Sequence, residues 1–341
     1  LPVPPGDLFR VALAEDRAGR LWVVWAANQA GNWDLYAASF SGAWSAAERL
    51  TSAPGPDVFH QLAADAAGNL WLAWQGYRQG SWAVLLKKHD GAAWSEETQL
   101  SESGDNWFPS VAVDGRGKLH VAWDSYAAGN YDVLLRSWAG GVWGPVERLA
   151  ATPAFEANVS LAVDRAGRLW AAWDESGTFW GKDSGVFAPA GNTRLYASRT
   201  LRLACRENGQ WQTPQADPYA TVPAAQRSFW HHPRLQADAE GRLWLLFHRR
   251  TSKALAGGGS RTLWNIYATW FDGSGWKTPV EVPESAGRND SPLVTVADSE
   301  GNVWAAWASD QRPWTNLVPG TYQVYACLLY TSPSPRDRTR S

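Results

Sequence analysis

The chain has 341 residues, 45% of them hydrophobic, and a formal net charge of −2, so it can bury a large core and has no bulk electrostatic reason to seek nucleic acid. No apolar run reaches the ~18 residues of a membrane span, and the start, LPVPPGDLFR, lacks the charged and apolar regions of a secretory signal. With no methionine anywhere, these ends are those expected of a piece of a longer protein.

In chain order, LAEDRAGRLWVVWA (13–26) is the first of six related stretches. An alternating apolar run ends at Asp16-x-x-Gly19, where glycine accepts a positive φ, and a second apolar strand follows at once, which predicts a hairpin. WDLYAASF then reads as a third strand and WSAAERL as a fourth. The pattern returns as LAADAAGNLWLAWQ (62–75) with WAVLLKKH and WSEETQL, and as VAVDGRGKLHVAWD (111–124) with YDVLLRSW and WGPVERL. It returns again as LAVDRAGRLWAAWD (161–174), LQADAEGRLWLLFH (235–248) and TVADSEGNVWAAWA (295–308). The aspartates are Asp16, Asp65, Asp114, Asp164, Asp238 and Asp298, about 50 residues apart in the first four units.

The second strand is apolar on both faces, as in Leu21, Trp22, Val23, Val24 and Trp25, so each sheet must be covered on both sides by sheets like itself. Four-stranded repeats of this length predict an all-β fold, a six-bladed β-propeller of four-stranded antiparallel blades. The expected blades are 7–55, 56–103, 104–152, 153–226, 227–286 and 287–330. The closing blade is incomplete, because YQVYACLLY is followed by the polar tail TSPSPRDRTRS (331–341) in place of a fourth strand.

Of the 24 tryptophans, most recur at fixed positions in the repeat and are assigned to packing. Each can remove about 150–250 Å² from water, up to several kcal/mol of stabilisation. Four fall off the pattern: Trp107, Trp180, Trp230 and Trp314. The links between strands two and three, lengthened in units four, five and six, and the links into each new blade emerge on one face of such a fold. That face is the expected binding surface.

Polar residues assigned to it include Arg227, His231, Arg249, Arg288, Asp290, Asp310 and Arg312. Arginines there suit a carboxylate, sulfate or phosphate, and exposed indoles suit sugar rings. The expected partner is a carbohydrate or small anionic ligand, with no nucleic acid, membrane or cofactor. A glycosidase would need a carboxylate pair, with Asp105, Glu156, Asp174, Glu175, Asp290 and Asp310 as candidates. His231, His232, His248 and Asp290 form a possible metal set, but adjacent histidines on an extended chain point oppositely, and no metal is expected. Cys205 and Cys327 match no metal or redox spacing and are expected to be isolated buried thiols.

The run PSVAVDGRGKLHVAWDSYAAGNYDVLLRSW with VWGPVERL resembles propeller repeats of secreted bacterial proteins, loosely sialidase-like. The resemblance implies an extracellular or periplasmic location. The sialidase Ser-x-Asp-x-Gly-x-x-Trp box lies between strands three and four, whereas Asp164, Gly167 and Trp170 here stand between strands one and two. RNDSPLVTVADSEGNVWAAWASDQRPW is similar to propeller segments that precede a PHP-like metal-dependent hydrolase domain. That likeness implies a downstream catalytic domain of the same parent protein.

Overall fold

The computed structural model describes residues 2–3, 6–178, 180, 199–254, 258–287, 293–298, 300–309 and 323–329. The chain divides into two compact units, Leu1–Leu161 with Glu175–Leu195, and Ala162–Asp174 with Tyr196–Ser341.

Six antiparallel sheets follow one another along the chain, and the fold is a six-bladed β-propeller. The first contains β1 (Leu8–Glu15), β2 (Leu21–Gln29), β3 (Asn32–Phe40) and β4 (Glu48–Arg49), and the second β5 (Asp57–Ala64), β6 (Leu70–Arg78), β7 (Ser81–His89) and β8 (Thr98–Gln99). The third contains β9 (Asp105–Val113), β10 (Leu119–Ala127), β11 (Asn130–Ala139), β12 (Val142–Trp143) and β13 (Glu147–Ala150). The fourth runs β14 (Ala154–Val163), β15 (Leu169–Thr178), β16 (Thr200–Glu207) and β17 (Gln210–Gln212). The fifth runs β18 (Trp230–Ala237), β19 (Leu243–Ala254), β20 (Ser260–Phe271) and β21 (Val280–Glu281). The sixth has three strands among the described residues, β22 (Leu293–Ala297), β23 (Val303–Ser309) and β24 (Gln323–Leu329).

The turn between the first two strands explains the repeat. Asp164 Oδ1 accepts the Arg168 backbone N–H at 2.9 Å, while Oδ2 accepts Trp170 Nε1–H at 2.8 Å and Arg168 Nε–H at 2.8 Å. The Gly167 N–H closes the turn on the Asp164 carbonyl. Asp16, Asp65, Asp238 and Asp298 make the same bond to Trp22, Trp71, Trp244 and Trp304. In the third unit His120 stands in the tryptophan's place, its Nε2 4.0 Å from Asp114. Aspartate is required because one carboxylate must serve both turn amides and an indole. At Gly68 the space is also exclusive: φ is +80°, and a Cβ would overlap the Arg17 backbone.

The double-sided second strand packs as its sequence demands. Leu70, Leu72 and Trp74 of β6 join Trp22, Val24 and Leu35 of the first sheet, whereas Trp71 and Ala73 join Leu119, Val121 and Trp123 of the third. In the other unit, β19 alternates likewise. Leu243, Leu245 and Phe247 face Trp170 and Leu201, and Trp244 and Leu246 face Val303 and Trp307. Trp44 and Trp304, grouped with the packing residues by repeat position, are 38% and 42% exposed.

Two elements differ from the sequence expectation. The fourth strands are broken: Trp44, Trp94 and Trp276 make single bridges to the third strand, and a short ladder resumes only at Glu48, Thr98 and Val280. In the first two sheets Ser45 and Ser95 fill the gap, their Oγ atoms accepting the N–H groups of Ser39 and Lys88. The apparent insertion between the second and third strands of unit five is a longer hairpin, paired from Leu243↔Phe271 to Ala254↔Ser260. Cys205 is a buried thiol pushed up to about 12 by burial, and neither it nor the half-buried Cys327 is in a disulfide.

Asp164→Ala strands the buried Trp170 Nε1–H and one turn amide, so chemical denaturation should show a loss of about 2–4 kcal/mol. Asp298→Ala, beside the exposed Trp304, should lose less than Asp164→Ala. His60, whose Nε2 lies 3.0 Å from the Val24 carbonyl, is lowered from 6.5 to about 4 by burial, with Arg10 acting in the same direction. The unfolded chain therefore binds a proton through this window that the folded chain does not. Stability is full above pH 6.5 and falls as pH drops toward 4, by up to about 3 kcal/mol from this group. The fall in Tm over that window should be shallower in His60→Asn.

Candidate functional site

The first strands share a feature the periodicity conceals. Arg10, Phe59, Phe108, Asn158 and His232 have φ of 52°, 52°, 49°, 61° and 52°, each at the same distance ahead of its turn aspartate. Register shifts mark the spot between Phe9 and Val11, between Val58 and Gln61, and between His231 and Arg234. These are β-bulges, which turn a backbone amide away from its own sheet and re-aim the side chains beside it.

The freed amides are caught by the preceding sheet. Gln75 Oε1 accepts Phe108 N–H at 3.2 Å. Asp124 accepts Asn158 N–H at 2.7 Å and Val159 N–H at 3.2 Å, and Asp174 Oδ1 accepts His232 N–H at 2.7 Å. All three acceptors directly follow the last tryptophan of their second strand, and Asp124 and Asp174 are 1% and 0% exposed. Asp174, offered by the sequence as a candidate glycosidase carboxylate, is thus an internal clip. Asp124 was missed, although an aspartate interrupting an otherwise apolar strand is a readable signal.

In the first unit these clips border a nest of aromatic rings. Trp107 lies 6.4 Å from Tyr126 and 5.3 Å from Tyr131, centroid to centroid. Trp180 lies 6.3 Å from Tyr126, 5.4 Å from Tyr131 and 5.1 Å from Phe155. Two of the four off-pattern tryptophans therefore meet across a tyrosine pair. Trp180 Nε1–H donates to Asn130 Oδ1 at 2.9 Å, which fixes the indole. Trp107, Tyr126, Tyr131 and Trp180 are half-buried, while Phe155 is buried beneath them. Burial, then the charge of Asp124, raises the Tyr131 hydroxyl above its ordinary range, so it stays protonated. Glu156 is raised by burial and by Glu175 and Asp132, and it accepts both the Thr152 N–H and the Thr152 hydroxyl.

The second unit gathers basic residues. Arg199 Nη1 donates to Asp174 Oδ2 at 2.7 Å. His231 is fully buried, edge-on to Trp264 at 4.1 Å, and paired across the ladder with His248. Burial holds His231 well below 6.5, and His248 at about 3. Arg249 lies 5.1 Å over Tyr267 and reaches Gln226 Oε1 at 3.4 Å, and the exposed Arg227 donates to the Val222 carbonyl at 3.0 Å.

Trp230 is corrected to a packing residue. It is 1% exposed and sandwiched between Tyr219 at 4.3 Å and Phe247 at 4.1 Å, leaving no open ring face for a ligand. Its off-pattern position reflects the long linker of unit four, whose short 3₁₀ helix Pro218–Thr221 supplies Tyr219. Trp314, Arg288, Asp290, Asp310 and Arg312 lie outside the described residues.

No protein-family model matches the chain, and no curated protein matches it. Among solved structures it is similar to an α-L-arabinanase of Penicillium chrysogenum complexed with arabinobiose, at 12% identity and TM-score 0.57, covering 94% of this chain and 93% of that one. It is similar to an ulvan lyase of polysaccharide lyase family 25 bound to an oligosaccharide of glucuronate and sulfated rhamnose, at 12% identity and TM-score 0.54, covering 92% and 78%. A Hadza microbial sialidase is similar at 13% identity and TM-score 0.56, covering 93% of this chain and 65% of that one. At these identities what is shared is the propeller fold.

Proposed function

We propose that the chain is a non-catalytic glycan-binding β-propeller module, whose recognition surface is the nest formed by Trp107, Tyr126, Tyr131 and Trp180. The observation that carries this is the convergence of half-buried rings, held rigid by packing and by the Trp180–Asn130 bond, beside polar groups that can orient hydroxyls. Sugar rings present C–H faces to aromatic planes and hydroxyls to their rims, and a preorganised nest loses little conformational entropy on binding. The likeness in fold to propellers solved with arabinobiose and with an acidic oligosaccharide supports a sugar as the ligand class. In the second unit, Arg227 and Arg249 are suited to a carboxylate or sulfate group. The reading includes a larger exported bacterial parent protein, extracellular or periplasmic, with a catalytic domain downstream.

Glycoside hydrolysis of a sialidase-like kind is the second reading, favoured by the raised carboxyl of Glu156 near Glu175. Against it, three candidate carboxylates are engaged internally: Glu156 by Thr152, Asp105 by the Trp82 N–H, and Asp174 by Arg199 and the His232 N–H.

An oligosaccharide array followed by calorimetry separates the readings. The expected result is saturable binding without turnover of arylglycosides, weakened about tenfold or more by Trp107→Ala or by Trp180→Ala. Binding undiminished in the double variant would remove the nest as the site, and turnover lost with Glu156→Gln would establish the enzyme.

A further inference from the structure

Histidines next to each other on a regular strand point to opposite faces, which argues against their sharing a metal. The bulge at His232 removes that objection. With φ of 52° at His232, the rings of His231 and His232 come to 4.5 Å, centroid to centroid, on the same side of the strand. The carboxylate of Asp174 reaches the same place from β15, because it is already held there by the His232 N–H. One ligand atom from each of Asp174, His231 and His232 lies within 4.8 Å of the others.

We propose that Asp174, His231 and His232 form a binding site for a divalent transition metal, zinc in the first place, joining β15 to the bulged strand of the next sheet. Two imidazoles and one carboxylate are a donor set for zinc and its first-row neighbours, whereas calcium and magnesium select oxygen. The independent observation is an unmet need for a partner. His231 is 0% exposed and neither ring nitrogen has a hydrogen-bond partner, and the same holds for both nitrogens of His248 at 2% exposure. A buried imidazole without partners is unfavourable, and a metal ion is a partner that the lone pair of an unprotonated ring nitrogen can take.

The surroundings supply orientation and set the affinity. Arg199 fixes the Asp174 carboxylate from outside the ligand set, as outer partners of metal ligands commonly do. His248 stands 5.9 Å and 5.8 Å from the rings of His231 and His232, within reach of a fourth coordination position after a modest movement. With three ligands, the expected affinity is weaker than that of closed four-ligand zinc sites.

The test is calorimetric titration of the chelator-treated full chain with zinc chloride, with cobalt(II) as a visible-absorption probe of coordination. The expected result is one saturable equivalent of zinc, cobalt bands of a low-coordinate nitrogen and oxygen site, and a rise in Tm with zinc. His232→Asn should weaken binding at least tenfold. Asparagine tolerates the left-handed backbone, and Asn158 already occupies the equivalent bulge of unit four, so this variant keeps the fold. His89→Asn, in the first unit, should leave binding unchanged. Absence of saturable zinc binding, or binding undiminished in a folded His232→Asn, overturns the proposal.

Discussion

Everything else in this protein depends on buried carboxylates that hold backbone amides. In each unit the turn aspartate fixes the first hairpin. In units three and four a second aspartate, within the second strand, reaches the next sheet and caps its bulge. Asp124 holds Asn158 and Val159, and Asp174 holds His232. The apolar faces of neighbouring sheets supply most of the favourable burial, but burial is non-directional and would tolerate sliding. A carboxylate accepting amides of the neighbouring sheet does not tolerate it, because a shift would leave a charge and its donors unpaired in the interior.

The same clips position the chemistry. Asp124 lies in the strand that carries Tyr126, and that strand turns into Asn130 and Tyr131, so the aromatic nest grows out of a clamped hairpin. Asp174 draws the bulge of His232 toward itself, which gathers the histidines into one cluster. In both places the strained backbone and the candidate ligand surface coincide, in keeping with bulges being features that re-aim side chains.

Much of this was legible in the sequence because it repeats. The Asp-x-x-Gly-x-x-Trp spacing encodes the turn, the uninterrupted apolar second strands encode stacked sheets, and Trp107 and Trp180 stand out as unmatched indoles that do meet. The bulges were not legible, since the residues that take the left-handed backbone, Arg10, Phe59, Phe108, Asn158 and His232, share no residue type that would mark it. That one hidden feature also defeated the reasoning about His231 and His232. Trp230 was misassigned because being off the pattern does not imply exposure: a linker distant in sequence supplies the ring that covers it. In unit five, added length entered the ladder as further pairs, which residue counting does not distinguish from a loop.

The most direct test of the clamping account is Asp124→Asn, which keeps the shape of the side chain but presents one acceptor to two amides. Equilibrium denaturation with near-ultraviolet circular dichroism should show a loss of about 1–3 kcal/mol and an altered aromatic signal from the neighbouring rings. Unchanged stability and an unchanged aromatic spectrum would contradict the claim that this carboxylate holds the bulge and, through it, the nest.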